Sequence, residues 1–210
     1  SGAARSGYDY VEIALLDPWN VDTAMTRDLL AEYGVRAHAS LGLSPATDVT
    51  STDTSIISKG DALLRKATDV LHALGGTELC GVLYCSLGKY PGPASKENRA
   101  NSVAAMQRLA DYASDKGINI NLEVVNRYET NIINTGIEGL AFLDEVNRPN
   151  AFVHLDTYHM NIEEDDMYAA IRRAKGRLVG FHVADNNRMA PGMGTINWKK
   201  VIKTLQEIGY

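Results

Sequence analysis

Six short segments with the two-residue period of a β-strand recur along these 210 residues, each followed by a stretch of helical period, and no hairpin turn intervenes. The strand segments are Tyr8–Leu15, Val35–Leu41, Glu78–Cys85, Ile118–Glu123, Phe152–Asp156 and Leu178–Val183. The helical stretches run from Asp22 or Thr23 to Tyr33, then over Ser55–Leu74, Ser95–Lys116, Thr135–Val146, Glu164–Ala174 and Asn197–Ile208. A strand followed each time by a helix implies a parallel sheet with right-handed crossovers. The pattern predicts an α/β chain of the parallel (β/α)8-barrel type with about six of its eight strands present, forming a single domain over residues 1–210.

Alternation along three of these strands says where chemistry belongs. In the fourth segment Ile118, Ile120 and Leu122 share one face, while Asn119, Asn121 and Glu123 share the other. In the fifth, Val153 and Leu155 oppose His154 and Asp156; in the sixth, Val179, Phe181 and Val183 oppose His182. Each strand therefore ends with an oxygen or nitrogen ligand on its less apolar face. A closed parallel barrel gives this a reason, because inward side chains at the carboxyl ends of the strands gather on the axis. Glu123, Asp156 and His182 offer two carboxylates and an imidazole, a set suited to Mn²⁺, Mg²⁺ or Co²⁺. Glu129, His159 and Arg188 follow just past the strand ends, placed to hydrogen-bond a polyhydroxylated substrate. His154 reads as a deeper, structural histidine.

The polar stretch Gly42–Thr54 is too long for a connecting turn and reads as a functional loop above a strand end; Ser86–Ala94 reads as a second loop, containing glycine and proline. The formal net charge of −5 opposes a nucleic-acid surface. No apolar run is long enough to span a bilayer, no charged-then-apolar signal segment opens the chain, and a cytoplasmic location is expected. Cys80 and Cys85, placed on one predicted strand five positions apart, face opposite ways and read as reduced core thiols. Gly192-Met193-Gly194 lacks the context of a nucleotide-binding fingerprint.

The stretches Leu122–Glu129, His154–Asn161 and His182–Arg188, with Gly192-Met193-Gly194 and the Gly42-Leu43-Ser44-Pro45 loop, resemble the ketose 3-epimerases, the D-tagatose and D-psicose 3-epimerases of the xylose-isomerase-like barrels. The resemblance spans essentially the whole chain. It implies one divalent metal, commonly Mn²⁺, held by Glu123, Asp156 and His182, with Glu123 also one of two catalytic carboxylates. Glu129, His159 and Arg188 match substrate-contacting positions, and a ketohexose is the implied substrate. The family's first strand should precede Ala3, and its eighth, bearing the fourth ligand and second catalytic Glu, should follow Tyr210. The resemblance thus implies a member trimmed at both ends, with impaired activity and an open seam that favours a homo-oligomer. Rival readings are an aldose–ketose isomerase, an apurinic-site endonuclease, which the scattered histidines and negative charge oppose, and a non-catalytic partial barrel.

Overall fold

The structure is a computed structural model describing residues 2–210. A single-turn helix α1 (Gly2–Arg5) precedes β1 (Tyr10–Ala14), α2 (Thr23–Tyr33), β2 (Arg36–Ser40), α3 (Thr54–Ala73), β3 (Glu78–Gly81) and α4 (Lys96–Ser114). There follow β4 (Asn119–Glu123), α5 (Gly136–Val146), β5 (Ala151–Asp156), α6 (Thr157–Glu163), α7 (Met167–Arg173), β6 (Leu178–His182) and α8 (Trp198–Glu207). The strands pair in chain order and every pairing is parallel. The result is a curled six-stranded half-barrel, in agreement with the alternation read from the sequence. No described helix is long and apolar enough to cross a membrane.

The period of two divides the sheet as the sequence requires. Ile120, Leu122, Val153 and Leu155 point outward and are wholly buried beneath Leu64, Ala67 and Leu71 of α3, Met106 and Ala110 of α4, and Phe142 of α5. Burial of an aliphatic or aromatic side chain of this size contributes about 1.5–3 kcal/mol. Helix starts are capped by side-chain oxygens: Asp22 accepts from Met25 N, Ser95 from Asn98 N, and Thr135 from Glu138 N.

Two local departures from the expected strands matter for the site. The third strand stops at Gly81 rather than continuing to Cys85. Gly81 turns the chain at φ +116°, and a Cβ there would collide with the Leu41 carbonyl. Cys80 therefore lies on β3 while Cys85 lies beyond it, its sulfur 3.0 Å from Thr130 Oγ1; both cysteines are free thiols. On β6 the register jumps from Val153↔Leu178 to His154↔Gly180. Val179 is the extra residue of a bulge, after which His182 falls opposite Asp156.

Gly180 is fixed by its neighbour. A Cβ there would run into the His154 imidazole, so the ring occupies the space a β6 side chain would take. Gly180→Ala is expected to destabilise by about 1–3 kcal/mol through overpacking, and adding His154→Ala should restore most of the loss. Chemical denaturation of the single and double variants measures both; a neutral single variant would contradict the packing described.

The strands β1 and β6 each have one paired neighbour in the described sheet, so each presents unpaired backbone groups that favour association. We expect self-association at high concentration; light scattering showing only monodisperse monomer would count against it.

Candidate active site

The inward residues at the carboxyl ends of β4, β5 and β6 converge. One ligand atom each from Glu123, Asp156 and His182 lie within 4.8 Å of one another. His182 Nδ1 is 3.4 Å from Glu123 Oε1 and 3.9 Å from Asp156 Oδ2. Two carboxylates and an imidazole at this spacing form a candidate divalent-cation cluster, and the oxygen-rich donor set favours Mn²⁺ or Mg²⁺ over thiophilic ions.

Each member is held by local structure. Tyr84 donates its hydroxyl to the Glu123 carbonyl at 2.8 Å, fixing the end of β4. Asp156 divides its oxygens: Oδ1 caps α6 by accepting Tyr158 N–H at 2.7 Å, leaving Oδ2 toward His182. Thr157 locks the chain after β6 to α6, donating to the Ala184 carbonyl and accepting from its N–H.

His182 reaches a second carboxylate across the open side of the sheet. Its Nε2 is 3.0 Å from Glu12 Oε2 on β1. Burial alone would lower the His182 pKa, but the bonds to Glu12 and Glu123 outweigh it and raise it to about 10. Burial likewise opposes ionisation of Glu12, and the bond to His182 prevails, bringing Glu12 down to about 2. Glu123 follows the same balance and is held below its ordinary value. Burial raises the pKa of Asp156.

Around the cluster an open cavity of about 220 Å³ is lined by Glu12, Glu123, Glu129, His159, His182 and Arg188. His159 is buried on α6 with Nε2 3.9 Å from Glu123 Oε1. The Asn126 backbone N–H donates to His159 Nδ1 at 3.1 Å, so neutral His159 carries its proton on Nε2, toward Glu123. Asn126 Nδ2 also contacts His159 Nδ1 and donates to Glu129 Oε1 at 3.1 Å. Arg188 meets the same Glu129 oxygen at 3.0 Å and stacks 3.9 Å above the Tyr158 ring. The six side chains singled out in the sequence thus form one continuous group.

Arg188 owes its placement to a residue the sequence did not expose. Its backbone adopts the left-handed φ of +64°, held by its N–H donating to the Asp185 carbonyl at 2.9 Å. The buried Asp185 carboxylate accepts from Asn186 N, Gly192 N, Ile196 N and Trp198 Nε1. Burial would raise its pKa; these donors, Trp198 first, hold it well below the usual range. Glu12, Asn126 and Asp185 were missed as functional residues. Glu12 carried one signal, its place on the polar face of an inward-alternating strand; the other two are ordinary loop residues until their partners are known.

Comparison with known proteins sets this geometry in context. The model of the family described as xylose isomerase-like TIM barrel matches residues 2–210. An L-ribulose 3-epimerase of Methylomonas sp. (strain DH-1) is 70% identical over 210 residues, covering 100% of this chain and 73% of that protein. A ketose 3-epimerase of Arthrobacter globiformis is 50% identical over 206 residues, covering 98% of this chain and 71% of that protein. The crystal structure of a Methylomonas sp. D-allulose 3-epimerase in complex with D-allulose superposes with TM-score 0.98 at 71% identity, covering 100% of this chain and 73% of that one.

The His182 cluster predicts a titration. In metal-free protein the imidazole should keep its proton to about pH 10 rather than 6.5. Because folding raises this pKa, the stabilisation is complete below about pH 6.5 and is lost as the pH climbs toward 10. Glu12→Gln should move the midpoint down. Imidazole NMR measures it, and a wild-type midpoint near 6.5 would refute the double pairing.

Proposed function

The chain belongs to the ketose 3-epimerases of the xylose-isomerase-like TIM barrels, and on that premise we propose that it acts on a ketohexose at C3, with Glu123, Asp156 and His182 as ligands of one Mn²⁺. The observation that carries this reading is the strand-end cluster, whose Glu123 and His182 line the cavity that Glu129, His159 and Arg188 border. A divalent ion held there supplies electrophilic stabilisation of the negative charge that develops on the substrate oxygens as the C3 proton leaves.

The protein's own groups supply the rest. Glu123, ionised at neutral pH because its pKa lies below the ordinary value, is the base that takes the C3 proton. The His159 Nε2–H and the Arg188 guanidinium donate to hydroxyl or carbonyl oxygens, and Glu129 accepts from a hydroxyl. These contacts fix which face of C3 is offered to Glu123.

Inversion needs a proton delivered to the opposite face. Besides Glu123 the described residues place two carboxylates on the same cavity: Glu129 is engaged by Arg188 and Asn126, and Glu12 by His182 and by the Cys80 thiol at 3.2 Å. We therefore expect these 210 residues to remove and return the C3 proton on one face more readily than they invert the carbon.

The test uses D-allulose and D-fructose with Mn²⁺ in D₂O, following deuterium at C3 by mass spectrometry and the C3 epimer by chromatography. Deuterium incorporation should outrun epimer formation, and Glu123→Gln should reduce it about 10²–10⁴-fold. Arg188→Ala should chiefly raise KM. Absence of both exchange and epimer in the Mn²⁺-loaded protein would overturn the reading, and epimer formation matching exchange would place a second acid within this chain.

A further inference from the structure

The interior of this half-barrel is unusually polar below the strand-end cluster. Parallel barrels fill this layer with branched aliphatic side chains. Here a cavity of about 140 Å³ is lined by Glu12, Glu78, Cys80, Asn121, His154 and His182, among others. His154 is 2% exposed, and neither of its ring nitrogens has a hydrogen-bond partner. Asn121 Oδ1 on the same wall is also unpartnered. Orphaned buried polar atoms cost about 1–3 kcal/mol each, so two orphaned side chains on one cavity point to a ligand.

The ligand chemistry follows from what surrounds them. Cys80 Sγ, one ring nitrogen of His154 and one of His182 lie within 4.8 Å of one another. Zn–S bonds of ~2.3 Å and Zn–N bonds of ~2.0–2.1 Å set tetrahedral edges of roughly 3.5 Å, so side-chain rotations close the set around an ion. Glu12 Oε2 is already 3.2 Å from Cys80 Sγ and 3.0 Å from His182 Nε2, in reach as a further ligand. His154 meets the His182 ring edge-on at a centroid distance of 4.0 Å.

We propose that Cys80, His154 and His182, with Glu12 in reach, form a second metal site that takes a thiophilic ion of the Zn²⁺ class and excludes a cation from the strand-end cluster. The site rests on its own geometry; the exclusion rests on the reading that Glu123, Asp156 and His182 hold the working metal. A thiolate with two imidazoles selects Zn²⁺, whereas the upper, carboxylate-rich cluster suits Mn²⁺. His182 belongs to both, through opposite nitrogens: Nε2 faces Glu12 below and Nδ1 faces Glu123 and Asp156 above. A neutral imidazole has one lone pair and one N–H. Zn²⁺ on Nε2 leaves a proton on Nδ1, which turns the upper ligand into a donor; a metal on Nδ1 does the reverse. Binding below releases the Cys80 thiol proton to solvent, so one Zn²⁺ enters and that proton leaves.

The experiment uses metal-free protein of the full 210 residues. Co²⁺, a spectroscopic stand-in for Zn²⁺, should produce a near-ultraviolet thiolate-to-cobalt charge-transfer band, bleached by added Zn²⁺ and absent in Cys80→Ala. Mn²⁺ occupancy is read separately by electron paramagnetic resonance. Zn²⁺ should displace Mn²⁺ from wild type, and the concentration needed should rise at least about tenfold in Cys80→Ala and in His154→Gln, with Mn²⁺ affinity itself unchanged. His154→Gln serves as the independent variant should Cys80→Ala fail to fold. Absence of a thiolate band from Co²⁺ both in wild type and in Asp156→Asn, whose strand-end cluster is weakened, would overturn the site. A band accompanied by undisturbed Mn²⁺ would overturn the exclusion. Neither readout needs turnover, so absence of ketose chemistry would leave this result standing, and a missing thiolate band would leave the epimerase reading untouched.

Discussion

One imidazole bears the electrostatic burden of the half-barrel's open side. Glu12, Glu123 and Asp156 each place an oxygen within 4 Å of a His182 nitrogen. Two like charges 4 Å apart repel by about 4 kcal/mol at an effective dielectric near 20, so three carboxylates cannot be held together without a cation among them. In the metal-free protein the His182 proton is that cation, which is why its affinity for the proton is so high. On the proposed reading, a divalent ion held at the strand ends would take over this role in place of the proton on Nδ1. The same residues that hold a proton among three carboxylates are thus the candidate ligands of the proposed metal.

The loop after β6 solves a different problem, that of holding a long cationic side chain above the cavity. Left-handed backbone at a non-glycine residue costs of order 1–3 kcal/mol, and Arg188 adopts it because Asp185 fixes the turn from both ends. The Asp185 carbonyl takes the Arg188 N–H, while its carboxylate gathers donors from residues 186 to 198. The Trp198 bond ties this loop to the first turn of α8. The position of Arg188 above the cavity thus depends on a buried acid, Asp185, that does not line it.

The inward placement of the candidate ligands at the strand ends was legible in the sequence because a strand's period is rigid: once Ile120, Leu122, Val153 and Leu155 are assigned to the outer face, Glu123 and Asp156 must lie inside. His182 was legible for the same reason, although the bulge at Val179 that brings it level with Asp156 was not. Three features were hidden. The strand through Cys80 was drawn too long because Leu79–Cys85 stays apolar, and only the Leu41 carbonyl beside Gly81 reveals why the chain must turn. Helix α6 was overlooked because Asp156 read as a ligand, whereas one of its oxygens also caps that helix. Glu12 alternates with Val11 and Ile13, but its partner lies 170 positions away, and no local pattern encodes that distance.

The helix that sequence reasoning overlooked also explains the polarity of the cavity rim. By starting at Thr157, α6 places His159 on its first turn, where the Asn126 N–H captures Nδ1 and leaves Nε2 as the donor. Asn126 in turn donates to Glu129, and Glu129 accepts from Arg188. The rim consequently offers guanidinium donor, carboxylate acceptor, imidazole donor and Glu123 acceptor. A sugar hydroxyl both gives and takes a hydrogen bond, so neighbouring hydroxyls on a carbon chain complement such an alternation, while a phosphate, which only accepts, would meet repulsion at Glu123 and Glu129. A backbone group, the Asn126 N–H, sets the His159 end of the alternation, and side-chain bonds from Asn126 and Arg188 to one Glu129 oxygen carry it to the other end.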